Sequence, residues 1–418
     1  MSTAASLSEP QVLAHTKQRL FPDDDSTDTY AVVDTQFAQD EWLAAEPIPD
    51  EIRSQLAPFN HVKIGSGYPD LVGVRVLESD LLAVDRLGEQ PPLIAIEAKG
   101  YTGSRTVDVE TGVVQAYDRL GEVNAAYVAA PGAAVSQSAR TLARELNVGV
   151  LAVDADGGVE PLEVPRVVGN RTSDEASAIR FQATAQGVAE KSFGLNHPKN
   201  YLAYPLAHYH ADDTATVLAE NVVRAVDSAR QGAVFLGLVT DSPADERLTS
   251  LGQEVVRFAL ERYKGSVDAA LDAFQEWHGS RGRFCDVAPE WGLVARRVVW
   301  AYPATQLLVE ELQTMCDDGI SDPSLVDLIE WLHVHHPTFA IELFIRGDQS
   351  VRSRVLDGDG NLQIDQLVDG TVFHSPTVFQ LKAMLYHAGI LSERGTEPHR
   401  LDPTTDSWQL RNPLDPFR

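Results

Sequence analysis

The stretch Leu93-Ile94-Ala95-Ile96-Glu97-Ala98-Lys99-Gly100 limits what this chain can fold into more than any other. It reads as an apolar strand that breaks its own pattern with a carboxylate and an amine two residues apart. Side chains at i and i+2 of a strand share a face, so Glu97 and Lys99 point the same way. A buried strand ordinarily ends in turn residues, not in a paired acid and base. Upstream, Gly67-Tyr68-Pro69-Asp70-Leu71-Val72-Gly73 opens another strand with a carboxylate. If the two strands are neighbours, Asp70, Glu97 and Lys99 converge. Two carboxylates and an amine suit a divalent cation and hydrolysis of a phosphodiester.

The surrounding pattern predicts α/β structure with a mixed sheet flanked by helices over residues 1–160. Helices are expected over Glu9–Leu20, over Ala38–Leu56 with interruptions at Pro47 and Pro49, and over Glu110–Arg119 and Ser136–Leu146. Strands are expected over His61–Ile64, Asp70–Leu77, Leu81–Leu87, Leu93–Ala98, Ala125–Ala130 and Val148–Val153. The last two are apolar throughout and separated by a helix, as in parallel strands covered on both faces. Residues 161–197 read as a linker, and the rest of the chain reads as mainly helical.

The 418-residue chain carries 61 Asp and Glu against 34 Lys and Arg, a formal net charge of −27. Lysine occurs only at positions 17, 63, 99, 191, 199, 264 and 382. Acid spread through folded-looking segments, with so little lysine, is the pattern of a halophilic protein. At molar salt the Debye length falls to about 3 Å, so this charge does not exclude nucleic acid as a partner. Cys285 and Cys316 have no CxxC or nearby Cys/His partner, so neither a disulfide framework nor structural zinc is expected. The histidines at 333, 335 and 336 form a run without a carboxylate pair at helical spacing and read as structural. The apolar runs are far short of a membrane span, no secretory signal pattern opens the chain, and the cytoplasm is the expected compartment. No P-loop or GxGxxG calls for a small-molecule cofactor.

Pro69-Asp70 followed by Glu97-Ala98-Lys99, and then by helix and strand, resembles the PD-(D/E)xK nuclease superfamily over roughly residues 35–155. The resemblance implies a restriction-endonuclease-like fold, a Mg2+ or Mn2+ ion and DNA as substrate. It implies metal ligation by Asp70, Glu97 and the Ala98 carbonyl, with Lys99 orienting the attacking water. Relatives place a glutamine on the following helix, here Gln115, with Tyr117 read as packing. They also place a glutamate on the first helix, for which Glu41 is the candidate, with Glu51 behind it. Arg105 is a candidate to meet phosphate; Lys63 and Tyr68 could touch it too, but read first as surface residues. Relatives also pair to cut both strands, so a homodimer stands beside a monomer.

Phe235–Val239 with Arg247–Gly252, and Thr377–Leu391 with Asp406–Arg411, resemble winged-helix units. Two such domains, 198–265 and 321–418, would flank a helical connector at 266–320. Gln380 and Lys382 on the second recognition helix would read DNA. A non-catalytic DNA-binding regulator or defence component on a degenerate nuclease fold is the alternative.

Overall fold

The computed structural model describes residues 6–22, 29–42, 46–83, 91–102, 106–168, 173–186, 194–210, 212–240, 246–277, 282–358 and 360–414. The chain divides into two compact units, Met1–Gly187 with Leu332–Gln366 and Val188–Trp331 with Leu367–Arg418. The domains therefore do not follow one another in five consecutive segments. Residues 332–366, expected inside a C-terminal domain, belong to the first unit.

The strands, in chain order, are β1 (Tyr30–Val33), β2 (Glu41–Trp42), β3 (Glu46–Pro47), β4 (Leu71–Val74), β5 (Leu93–Ala98), β6 (Ala125–Pro131), β7 (Gly149–Val153) and β8 (Val159–Glu163). Six of them form one mixed sheet in the order β1-β4-β5-β6-β7-β8. The pairs β5/β6 and β6/β7 are parallel and the other three are antiparallel. The expected mixed sheet flanked by helices is thus present. Every residue of β5, β6 and β7 is buried, which accounts for their continuous apolar composition.

Side chains alternate between two cores. Ile94, Ile96 and Ala98 face one that includes α1 (Glu9–Leu20) and the end of α2 (Asp50–Leu56). Leu93 and Ala95 face the other, against α3 (Val109–Arg119), α4 (Gln137–Leu146) and α5 (Asp174–Gln186). Both parallel crossovers run through helices on that second face, as right-handed connections require. Asp108 caps α3 by accepting the Thr111 N–H at 3.0 Å, and Ser136 Oγ caps α4 from the Ala139 N–H at 2.9 Å.

Several sequence expectations are corrected. Among the described residues of the 38–56 segment, only Asp50–Leu56 is α-helical. Pro47 and Pro49 exclude a continuous helix, and Pro47 itself lies in the short β2/β3 pair. His61–Ile64 contributes a single bridge, Ile64 to Gly67, instead of a strand. Leu81 lies in a turn and accepts the Tyr127 hydroxyl through its carbonyl at 2.6 Å; residues 84–87 of that expected strand are outside the described residues. Tyr30–Val33 pairs with β4 as an unexpected edge strand. The supposed linker contains most of β8 and all of α5.

The second unit is helical. It contains α6 (Pro198–Tyr209), α7 (Thr214–Asn221), α8 (Val226–Phe235), α9 (Ser250–Arg262), α10 (Val267–Glu276), α11 (Phe284–Val287), α12 (Pro289–Trp300) and α13 (Pro303–Asp317). A bridge joins Val239 to Leu248 after α8. After α14 (Leu325–His335) come α15 (Pro337–Phe344) and α16 (Gln349–Val355) of the first unit, then α17 (Ser375–His387) of the second. Bridges Ser324–Ser407 and Leu391–Leu410 bring three short segments together beside α17. No described helix is long and apolar enough to cross a membrane.

One buried polar network ties α15 and α16 to the sheet of the first unit. Glu342 on α15 is fully buried and takes two bonds from Arg352 on α16, at 2.9 and 3.0 Å. It also accepts the Tyr30 hydroxyl of β1 and the Asn60 amide, each at 2.6 Å. Burial and the neighbouring Glu342 carboxylate push the Tyr30 hydroxyl well above its ordinary pKa. A charge taken out of water is tolerated when its lone pairs are met this fully.

Candidate active site

β4 and β5 are antiparallel neighbours, with Leu71 opposite Ile96. One step further along that register sets Asp70 opposite Glu97. Asp70 continues the Val72–Val74 side of β4, and Glu97 and Lys99 continue the Leu93–Ala95 side of β5, so all three lie on the α3 face. The two strands are thus neighbours, and the three residues share a face.

Each member is held by a neighbour. Asp70 Oδ2 accepts the Ala98 N–H at 2.7 Å, and Oδ1 accepts the Gln36 side-chain amide at 3.1 Å. Glu97 Oε1 accepts Arg119 Nε of α3 at 2.9 Å, while the same guanidinium donates to the Ile64 carbonyl at 2.9 Å. The Lys99 backbone N–H bonds the Ala129 carbonyl at 2.8 Å. Its side chain runs over Gly112 of α3, where an added Cβ would stand 2.9 Å from Lys99 Cγ and 2.7 Å from Val128. Glycine at 112 keeps that channel open.

A third acid joins them from the other side of the sheet. A Cβ on Gly100 would stand 2.1 Å from the Glu9 backbone nitrogen, so glycine there lets the start of α1 press against the end of β5. The Tyr101 N–H bonds the Leu7 carbonyl at 2.9 Å and secures the approach. The Ser8 N–H donates to Gln11 Oε1 at 2.9 Å, which sets where α1 begins.

Electrostatics show that these groups act on one another. Burial, then the charges of Glu97 and Glu9, push the Asp70 carboxyl well above the usual carboxylate range, with Lys99 opposing. Burial raises Glu97 against the pull of Arg119 and Lys99. Burial, together with the Glu97 charge, raises Glu9 to about 7 despite Lys99 and a bond from the Gly100 backbone. Three acids thus face two cations, Lys99 and Arg119. A nearby divalent cation would relieve the repulsion. Among the described residues no three His, Cys, Asp or Glu side chains stand at metal-holding spacing. Asp70 and Glu97 are the two carboxylates that could hold such an ion, with backbone oxygen and water completing its shell.

The structure brings together Asp70, Glu97, Ala98 and Lys99. Glu41 is not with them, because it is exposed on β2; Glu9 stands where the first-helix acid was expected. Glu51 falls in the first turn of α2, on an exposed position. Gln115 is exposed on α3, whose sheet-facing residues are Gly112, Val113, Ala116 and Arg119. Tyr117, read as packing, is 50% exposed. Arg105 lies outside the described residues. Gln380 and Lys382 are buried in the second unit, because α17 is enclosed nearly all round. Lys382 Nζ bonds Asp406 at 2.7 Å, and Gln380 accepts the Leu195 N–H at 3.4 Å. Neither can read a DNA groove from there.

Gln36, Arg119 and Glu9 escaped the sequence reading. Glu9 had a signal, an acid at the start of an amphipathic helix, but nothing local ties it to a strand ninety residues away. Comparison with protein-family models, curated proteins and solved structures returns no match.

The Glu9 carboxyl gives a pH prediction. Its folded-state pKa lies above the ordinary 4.5, so the folded chain holds that proton more tightly than the unfolded one. The stability this contributes is full below about 4.5 and is lost as pH rises through about 7. Glu9→Gln should therefore be more stable than the unaltered protein at pH 8 in chelator, and the difference should shrink by pH 4.5. Paired denaturant melts at fixed high salt measure it; a pH-independent difference would count against the assignment.

Proposed function

We propose that the first unit is a metal-dependent nuclease domain of the PD-(D/E)xK type that hydrolyses DNA, and that the second carries winged-helix-like modules. One observation supports this above all: Asp70 and the Glu97–Lys99 pair share one face of neighbouring strands, in a cluster of mutually repelling acids. Asp70, Glu97 and the Ala98 carbonyl would hold Mg2+ or Mn2+, with Glu9 beside them. When bound, such an ion offsets charge on the scissile phosphate and makes water more acidic.

The chain's own residues do the rest. Gln36 and the Ala98 N–H fix one carboxylate and Arg119 fixes the other, so little reorganisation is left for the reaction. Lys99, steadied by the acids around it, orients the attacking water against the phosphate. The test is cleavage of duplex, single-stranded and branched DNA in molar potassium chloride, with and without Mg2+ or Mn2+. Activity that requires metal and disappears in Asp70→Ala is expected. Metal-independent activity, or activity kept by that variant, would refute the proposal.

The Arg119–Glu97 pair favours a second reading. A guanidinium already on Glu97 is what a non-catalytic scaffold would use in place of a cation. Metal-dependent thermal stabilisation separates the two: a catalytic site gains about 2.7 kcal/mol at metal a hundredfold above Kd, and a scaffold gains none.

A further inference from the structure

Next to the acid cluster, two rings stand stacked. The centroids of His61 and Tyr68 are 3.6 Å apart, at an interplanar angle of 24°. Both are open to solvent: Tyr68 is 43% exposed and the His61 side chain 42%. The stack covers one part of the tyrosine and leaves the rest open to solvent. Here the histidine is anchored from beneath. Its Nδ1 lies 3.1 Å from Oδ2 of the buried Asp34 and 3.3 Å from Thr35 Oγ1.

The anchor is shared with the site. The Asp34 N–H bonds the Asp70 carbonyl at 3.0 Å, and Gln36, whose N–H is capped by Asp34 at 2.9 Å, holds Asp70 Oδ1. A single turn after β1 therefore orients both the aspartate and the stacked rings. Tyr68 precedes Asp70 by two residues, about 7 Å along extended chain. That separation is of the order of the span from a nucleotide's phosphate to its base, so a phosphate held at Asp70 and Lys99 would bring its base near that ring. Every base has a π-face, and stacking on an exposed aromatic ring does not depend on sequence. A paired base in a duplex has both faces covered by its neighbours and cannot use the ring.

We propose that Tyr68, backed by His61, is a stacking platform for an unpaired nucleobase, so that the site prefers single-stranded or locally opened nucleic acid over intact duplex; this rests on the nuclease reading above. His61 is a positioning residue, since it holds the ring and need not touch the base.

The experiment uses the full chain in molar potassium chloride with calcium as a non-turnover ion. A short single-stranded oligonucleotide carrying 2-aminopurine, and its duplex, are titrated while affinity and stacking fluorescence are followed. Tyr68→Ala should weaken single-strand binding about tenfold and abolish the quench, and leave duplex binding unchanged. Tyr68→Phe should behave as the unaltered protein, because the ring and not the hydroxyl does the work. His61→Ala should lie between, and a melt checks that each variant is folded. Equal losses on both DNA forms, no loss in Tyr68→Ala, or a Tyr68→Phe as impaired as Tyr68→Ala would each overturn the platform. Tyr68-dependent quenching without metal-dependent cleavage would keep the platform and sink the nuclease. Cleavage without any Tyr68 effect would do the reverse, and a protein that binds neither form loses both.

Discussion

Lys99→Met should lower metal-dependent cleavage by about 10² to 10⁴, the usual weight of a positioned proton-handling or water-orienting group. Methionine keeps much of the stem that runs over Gly112, so packing changes little. What disappears is one of two cations facing Asp70, Glu97 and Glu9. The same variant should therefore melt lower than the unaltered protein at pH 8 in chelator. Saturating Mn2+ should narrow that gap, since the ion restores the lost positive charge. Single-turnover cleavage and melts with and without Mn2+ check both halves. A variant that cleaves at the original rate would show that the amine takes no part in the reaction. A melt that ignores Mn2+ in both proteins would favour the scaffold.

Glu342→Ala should destabilise the first unit strongly, by about 3–5 kcal/mol. The carboxylate is fully buried, and its removal strands the Arg352 guanidinium and leaves the Tyr30 hydroxyl and Asn60 amide without it. Asn60 lies next to His61, and Tyr30 belongs to the edge strand that pairs with β4, so loosening here reaches the site. Glu342→Ala with Arg352→Met should recover part of the loss, because the double variant no longer leaves a bare guanidinium in the core, although Tyr30 and Asn60 still lose their acceptor. Denaturant melts of both variants at one salt concentration give the comparison. A single variant as stable as the unaltered protein, or a double variant no better than the single, would show that the network is not what holds α15 to β1.

Glu342 also marks where the sequence could have said more. It is the only charge in Thr338-Phe339-Ala340-Ile341-Glu342-Leu343-Phe344-Ile345, a run too apolar to lie at a surface. A lone acid in such a run must find a buried cation, but its spacing does not say which one. Lys382 is the converse case. Its place on a segment that resembles a winged-helix recognition helix suggested DNA contact, whereas Asp406 and the residues around α17 enclose it. A charged residue reads as exposed until its partner is known, and the partner is distant in sequence. Glu41 failed for a local reason, since Pro47 and Pro49 already argued against a long helix there.

The sequence by itself determined the buried strands β5, β6 and β7, the helices between them, and the sharing of one face by Glu97 and Lys99. Those features follow from short-range periodicity and strand alternation, which need no knowledge of distant neighbours. Only the tertiary structure decided that β4 lies antiparallel to β5, that Glu9 arrives past Gly100, that Arg119 and Gln36 grip the two carboxylates, and that residues 332–366 return to the first unit. Each of these depends on which far-separated surfaces fit together and on how buried charges are matched, and neither is written in any local stretch of chain.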